Sequence, residues 1–296
     1  MTYALFLGCI APLRYPDIEK ATRISLKNLG IEIKDMEGAT CCPAGASFNC
    51  IDEITSLAIS ARNLSIAEEM KCDVVTICSG CFSTLKEANK KLRENNEKRK
   101  LVNEVLGEIG RAYKGKTEIK HLVELLYDDV GIERIRDSIK RPLNGIKIAP
   151  HYGCHILRPS IFLDVDNPEK PRKLDELINA LGAKSLSYQH KLMCCGAGGG
   201  LRAYDHNFAT RIVTRKLNAI KEAGAHAIVD VCPFCHLQFD VSQAELNEKK
   251  GYEFKIPVFH YTQLLALAQG NDPKEIISVS KIPRENIINK IKVEAK

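Results

Sequence analysis

Residues 73–81 read DVVTICSGC and residues 227–235 read AIVDVCPFC. Each is a short, β-branched, apolar run that delivers a C-x-x-C pair, the pattern of a buried strand ending at two thiols. Working outward, each run is preceded by a vicinal pair, Cys41-Cys42 or Cys194-Cys195, and before that by an apolar stretch closing on Gly-Cys, LFLGC at Cys9 or IAPHYGC at Cys154. The spacings are C-x31-CC-x35-C-x2-C and C-x39-CC-x36-C-x2-C. Two five-cysteine sets in one order, with nearly matched gaps, indicate an internal duplication.

The flanks repeat as well. KNLGIEI (27–33) matches NALGAKSL (179–186), a helix stopped by glycine and then a strand, and KHLVELLYD (120–128) matches FHYTQLLAL (259–267). Alternating strands and helices in both halves predict an α/β fold of two pseudo-repeated Rossmann-like units with largely parallel sheets. Pro and Gly in KRPLNGIK (140–147) place the boundary there, giving repeats 1–143 and 144–296. The first half is longer after its C-x-x-C, and the charged segment 89–116 that accounts for this is expected to be a solvated helical face.

A chain of 296 residues with 45% apolar and 27% charged residues has the balance of a water-soluble protein. No run reaches the roughly 18 apolar residues of a membrane span. The opening MTYALFLGCIAP lacks the basic leader of a signal peptide and is read as a buried strand ending at Cys9. A net charge of +6 with interspersed signs gives little support to nucleic-acid binding and suits an anionic small molecule equally well. The tail PRENIINKIKVEAK shows an amphipathic helix too short for a membrane anchor. Twelve cysteines without a secretory signal point to metal or redox use rather than to disulfides.

The repeat sorts these cysteines. Cys50 and Cys72 lack counterparts, since Ala203 and His226 stand in their places, and are expected to be ordinary buried thiols. Five remain in each half: Cys9, Cys41, Cys42, Cys78 and Cys81, then Cys154, Cys194, Cys195, Cys232 and Cys235. Adjacent cysteines are poorly spaced for a disulfide, because neighbouring Cα atoms sit about 3.8 Å apart where a bridge wants about 5.5 Å. Structural zinc and ordinary iron–sulfur clusters take about four ligands each, so five thiols imply either a non-ligand in each set or a larger, irregular cluster. The vicinal pair favours the larger cluster, with its two adjacent thiolates on different irons, and structural zinc remains the alternative. A thioredoxin-type role for the C-x-x-C is disfavoured, because there the motif works alone.

At these cysteines the chain resembles the CCG-domain family, twice, and within it the B subunits of heterodisulfide reductase from methanogenic archaea. The second copy carries CCG at Cys194-Cys195-Gly196, whereas the first reads CCP at Cys41-Cys42-Pro43, with glycine two places later at Gly45. The resemblance implies two [4Fe-4S] clusters of non-cubane type, each held by one five-cysteine set at the strand ends. It implies as substrate the mixed disulfide of coenzyme M and coenzyme B, reduced to two thiols between the clusters. Two one-electron centres suit a two-electron cleavage, with iron from each half taking one sulfur and no protein thiol attacking. The anionic groups of such a substrate call for cations and N–H donors. Arg14, His155, Arg158, Gly199, Arg202, His206 and His236 lie near the cysteines and are the candidates, for substrate contact or proton supply.

The chain has no ferredoxin motif, no dinucleotide fingerprint and no P-loop, so electrons must come from elsewhere. The resemblance implies a ferredoxin-like heterodisulfide reductase subunit fed by a flavin-containing one, in a cytoplasmic complex with a hydrogenase or formate dehydrogenase. CCG modules also occur in succinate or fumarate reductases and in glycolate or lactate oxidation complexes. An electron-transfer or anchoring component of that kind, or a non-enzymatic iron–sulfur or zinc scaffold, is the competing reading.

Overall fold

The computed structural model describes residues 1–43 and 48–293, which leaves Gly45 outside the described residues. The apolar runs become strands of two four-stranded sheets. The first comprises β1 (Thr2–Phe6), β2 (Glu32–Asp35), β3 (Asp73–Thr76) and β4 (Ile119–His121) in the order β2-β1-β3-β4. The second comprises β5 (Lys147–His151), β6 (Lys184–Ser185), β7 (Ala227–Asp230) and β8 (Val258–His260) in the order β6-β5-β7-β8. Every pairing is parallel. The duplication holds to the residue: Phe6 pairs Thr76 as His151 pairs Asp230.

Parallel strands covered by helices on both faces read as continuous apolar runs. The buried AIVD of β7 and the YALF of β1 are such runs. In each sheet the chain leaves β1 or β5 to one side, then crosses to the other for β3 or β7. The carboxyl ends of these neighbours therefore flank a switch point, where open α/β sheets bind their ligands. Cys9 and Cys78 follow β1 and β3 there, as Cys154 and Cys232 follow β5 and β7.

The halves are packed together rather than merely joined. Helix Pro16–Asn28 of the first half packs against helix Tyr261–Ala268 of the second. Polar ties lock the register: Thr22 to Thr262 at 3.1 Å, Asn28 to Gln269 at 3.1 Å and Gln263 to Asp17 at 3.0 Å. The C-terminal helix Glu285–Val293 buries Ile287 and Ile291 in the common core, so its apolar stripe is used within the protein. The charged insertion forms the last six residues of helix Ser79–Glu94 and all of helix Asn96–Gly107, which buries Val102 and Leu106 and leaves its charges outward. Among the described residues no helix is long and apolar enough to cross a membrane.

One tie is reciprocal. His121, at the end of β4, places Nε2 3.1 Å from the carbonyl oxygen of Val231, and His260, at the end of β8, places Nε2 3.1 Å from that of Ile77. On the other side of each ring Nδ1 accepts a helix N-terminal N–H, from Val123 at 3.2 Å and from Thr262 at 3.4 Å. With Nδ1 an acceptor, the network assigns the proton to Nε2, which donates across the interface. Each histidine thus starts a helix of its own half and holds the strand end that delivers the other half's C-x-x-C. Both rings are wholly buried, and desolvation pulls His121 down to about 3 and lowers His260.

Replacing His121 by Ala leaves the Val231 carbonyl buried without its donor and removes the helix cap. The expected cost is about 2–4 kcal/mol, read from the urea midpoint under anaerobic conditions; a loss within about 0.5 kcal/mol would show that the ring is not a tie. A pH dependence follows from the same rings. Folding depresses their pKa, so the native state is fully favoured above the unfolded-state value of 6.5 and loses that advantage as pH falls toward about 3. His121 alone should remove about 2 kcal/mol between pH 7 and pH 5. His121→Asn keeps a capping acceptor without the titrating ring, and should show a shallower loss of stability over that range than the parent; equal slopes would refute the assignment.

Candidate metal centre between the two halves

Each five-cysteine set is assembled by three corners. Cys9 and Cys154 follow the first strand of their sheet through a glycine of positive φ, Gly8 at +70° and Gly153 at +79°. A Cβ on Gly8 would lie 2.7 Å from Cys81 Sγ, so glycine is required for the strand end to approach that thiol. The C-x-x-C pairs turn strand into helix. Cys78 and Cys232 are the N-caps of helices Ser79–Glu94 and Pro233–Lys250, and Cys81 and Cys235 are the third residues within them. Both thiols of a pair therefore gather at a helix N-terminus, where N–H groups and the helix dipole favour negative charge.

The vicinal pairs complete the sets from the loops after β2 and β6. Cys195 Sγ lies 3.3 Å from Cys235 Sγ, Cys154 Sγ lies 3.9 Å from Cys194 Sγ, and the Gly196 N–H donates to Cys194 Sγ at 3.2 Å. Gly196 has φ +89°, and a Cβ there would meet Ala209 O at 2.9 Å, which accounts for glycine directly after the second pair. The C-x-x-C corners meet across the interface, with Cys78 Sγ 3.6 Å from Cys232 Sγ. Nine of the ten cysteines line one cavity of about 270 Å³, together with Ser79, Gly80, Thr84, His155 and Gly198 to Gly200; Cys194 lies just behind its wall.

Crowding and burial suppress independent ionisation. Contact with Cys42 and then burial push the Cys41 thiol up, Cys42 and Cys78 do the same to Cys81, and Cys195 does so to Cys235. Cys194 and Cys232 are instead held low by the thiols that donate to them. A crowded, largely buried set of thiols, lined by small residues, fits a polynuclear cationic centre that takes them as thiolates. It fits a lone structural zinc poorly, because each half offers five sulfurs where a tetrahedral ion uses about four.

His151 and Lys216 are buried beside the second set. His151 lies with Cys195 and Cys235 so that their ligand atoms are all within 4.8 Å of one another, and among the described residues neither of its nitrogens has a hydrogen-bond partner. Lys216 is fully buried, donating to the carbonyls of Lys191 at 2.8 Å and Met193 at 2.6 Å. Burial pulls it down to about 8, opposed first by Cys195 and then by Cys235, Cys194 and Cys154. Neither residue stands out in the sequence: His151 reads as the end of a strand, and Lys216 as one cation of a mixed helix.

Of the seven side chains expected at a substrate site, His155 and Gly199 line the cavity, and His155 Nδ1 lies 3.4 Å from Ser83 Oγ of the first half. Arg14 is exposed and outside the cavity wall. Arg158 is engaged with Pro168 O at 3.0 Å and Glu169 at 3.1 Å, and Arg202 with Gln238, Ser242 and Glu245 at 2.9 to 3.0 Å. His206 lies 3.3 Å from Glu245. His236 is buried behind the wall, 2.9 Å from Asp230 and 2.7 Å from Arg284. Cys72 is half-buried, donating to Met70 O at 3.3 Å, whereas Cys50 is exposed rather than buried, because it sits in a surface turn before helix Glu53–Glu69.

Comparison with known proteins accords with this geometry. The cysteine-rich CCG domain model matches residues 3–86 and again 148–240. Among the B subunits of ferredoxin:CoB-CoM heterodisulfide reductase, that of Methanosarcina mazei is 46% identical to the chain over 273 residues, covering 92% of this chain and 91% of that one. The chain is 31% identical over 274 residues to the 8-methylmenaquinol:fumarate reductase membrane anchor subunit of Wolinella succinogenes, covering 93% and 94%. A crystal structure of a hypothetical protein from Helicobacter pylori shares the fold, with a TM-score of 0.72 at 16% identity over 93% of this chain and 50% of that one. The family match in both halves, on two matched cysteine sets and two matched sheets, makes this chain a tandem member of the cysteine-rich CCG domain family.

Proposed function

We propose that the chain is the disulfide-reducing component of a CoB-CoM heterodisulfide reductase, with one non-cubane [4Fe-4S] cluster on each five-cysteine set. The reaction takes one mixed disulfide, two electrons and two protons to coenzyme M and coenzyme B thiols. The observation that carries this reading is the single cavity walled by thiols of both halves, which lets one S–S bond face both donor sets at once. When bound, the clusters supply one electron each and iron for the separating sulfurs.

The chain's own residues place and shield the substrate. Gly198 to Gly200 run along the wall, with positive φ at Gly199 and Gly200, and present backbone rather than side chain to a ligand. His155 stands at the seam between the halves, bonded to Ser83, and is the residue we assign to contact the disulfide end of the substrate. No protein thiol is needed as nucleophile, since all ten cysteines around the cavity belong to the two sets. We assign repeats 1–143 and 144–296 as the units of duplication. As cytoplasmic partners we assign the ferredoxin-like and flavin-containing subunits of a heterodisulfide reductase, with an associated hydrogenase or formate dehydrogenase. The relative from Methanosarcina mazei is by name one component of such a reductase.

Protein purified without oxygen should hold about eight irons and eight sulfides per chain. About two zincs without sulfide would reject the catalytic reading in favour of a structural module. Activity should appear with the heterodisulfide and a viologen donor. Activity with succinate or a quinol instead would favour the reading suggested by the Wolinella succinogenes relative. Cys194→Ser should halve the iron and abolish turnover, whereas His155→Ala should keep the full iron content and lower kcat/KM at least about tenfold; an unchanged kcat/KM would remove His155 from the substrate site.

A further inference from the structure

The duplication makes the two cluster sites directly comparable. The helix after each vicinal pair has the same length and start: Glu53–Glu69 is capped by Asp52 and His206–Glu222 by Asp205, each with 17 residues. The eleventh residue is fully buried in both, Asn63 in the first and Lys216 in the second. They perform one task. Asn63 Nδ2 donates at 3.3 Å to the carbonyls of Thr40 and Cys41, and Lys216 Nζ donates to those of Lys191 and Met193. Thr40 and Met193 are the residues immediately before the two vicinal pairs. A neutral amide therefore braces the first pair and an ammonium braces the second.

Lys216 has no carboxylate partner among the described residues. Its neighbours are two carbonyls, the Tyr188 ring 5.9 Å from Nζ, and the thiols of Cys195, Cys235, Cys194 and Cys154. A buried ammonium without a counter-ion is costly, and the negative charge available to it is that of the second sulfur set. A second exchange has the same sign. Phe6 ends β1 where His151 ends β5, so the second set alone has an unpartnered imidazole beside it, able to donate N–H to sulfur. Positive charge and hydrogen bonds near an iron–sulfur centre stabilise its more negative, reduced state and raise its potential.

We infer that the two clusters are electrostatically unequal, the second-half cluster having the more positive reduction potential, with Lys216 as the positioning residue that sets the difference. This rests on the reading of the two sulfur sets as iron–sulfur sites. The first electron then settles on the second half, and the first half holds the more strongly reducing one.

The test is an EPR-monitored potentiometric titration of the purified holoprotein, with iron and sulfide measured on every sample. The parent should show two separated waves. Lys216→Gln, which keeps the N–H donors but not the charge, should move the higher wave to more negative potential and leave the lower in place. Lys216→Arg should keep the parent's separation. Asn63→Lys should move the lower wave to more positive potential, which assigns each wave to its half and does not depend on the Gln variant folding. Coincident waves in the parent, a Lys216→Gln protein with both waves unmoved, or equal shifts of both would overturn the inference while the cluster reading stands. A parent without iron would overturn both.

Discussion

Two buried histidines reach across the molecule to the corners that wall the cavity. His121 and His260 each cap a helix with Nδ1 and hold the other half's strand end with Nε2, and the held residues, Val231 and Ile77, immediately precede Cys232 and Cys78. The C-x-x-C corners are thereby fixed from the opposite sheet, and their leading thiols come within 3.6 Å of one another. A hydrogen bond of this kind contributes only about 1 kcal/mol net, but leaving its carbonyl unpaired in a dry interface costs more. The halves are therefore bound to one relative position, and neither half's C-x-x-C corner is complete by itself.

That position gathers ten thiols, six of them buried. Neighbouring thiols and desolvation push Cys41, Cys81 and Cys235 up, and glycines at 8 and 196 permit approaches that a Cβ would block. Such a set is poorly suited to stand as free thiols and well suited to close around cationic metal. The cost of crowding is offset on metal binding, which couples the site to the stability of the surrounding loops.

The sequence shows the parallel α/β fold because the decisive signals are local. DVVTIC and AIVDVC are strands by composition, the glycines after KNL and NAL end helices, and the repeated order of cysteines sets one half beside the other. Side-chain roles are another matter. Nearness to a cysteine along the chain picked out Arg158 and Arg202, yet Glu169 and Glu245, which engage them, lie eleven and more residues away and cannot be paired by reading. The same criterion passed over Lys216, which reaches the vicinal pair from well along the following helix. It also gave no sign that the matched motifs KHLV and FHYT carry histidines whose outer nitrogens cross the interface.

Duplication alone would yield two interchangeable sulfur sets. The structure breaks that equivalence at positions beside the sulfur sets. Phe6 and Asn63 in the first half are apolar and neutral, whereas His151 and Lys216 at the same positions of the second are polar and cationic. Backbone and ligands are kept, so the geometry of capture is shared while the electrostatics are not. With clusters on the two sets, a buried charge in the second half would favour the more negative state there, and the first, without that charge, would be the stronger donor. The symmetry of the fold thus places the two sites face to face, and these two exchanges give the pair a direction.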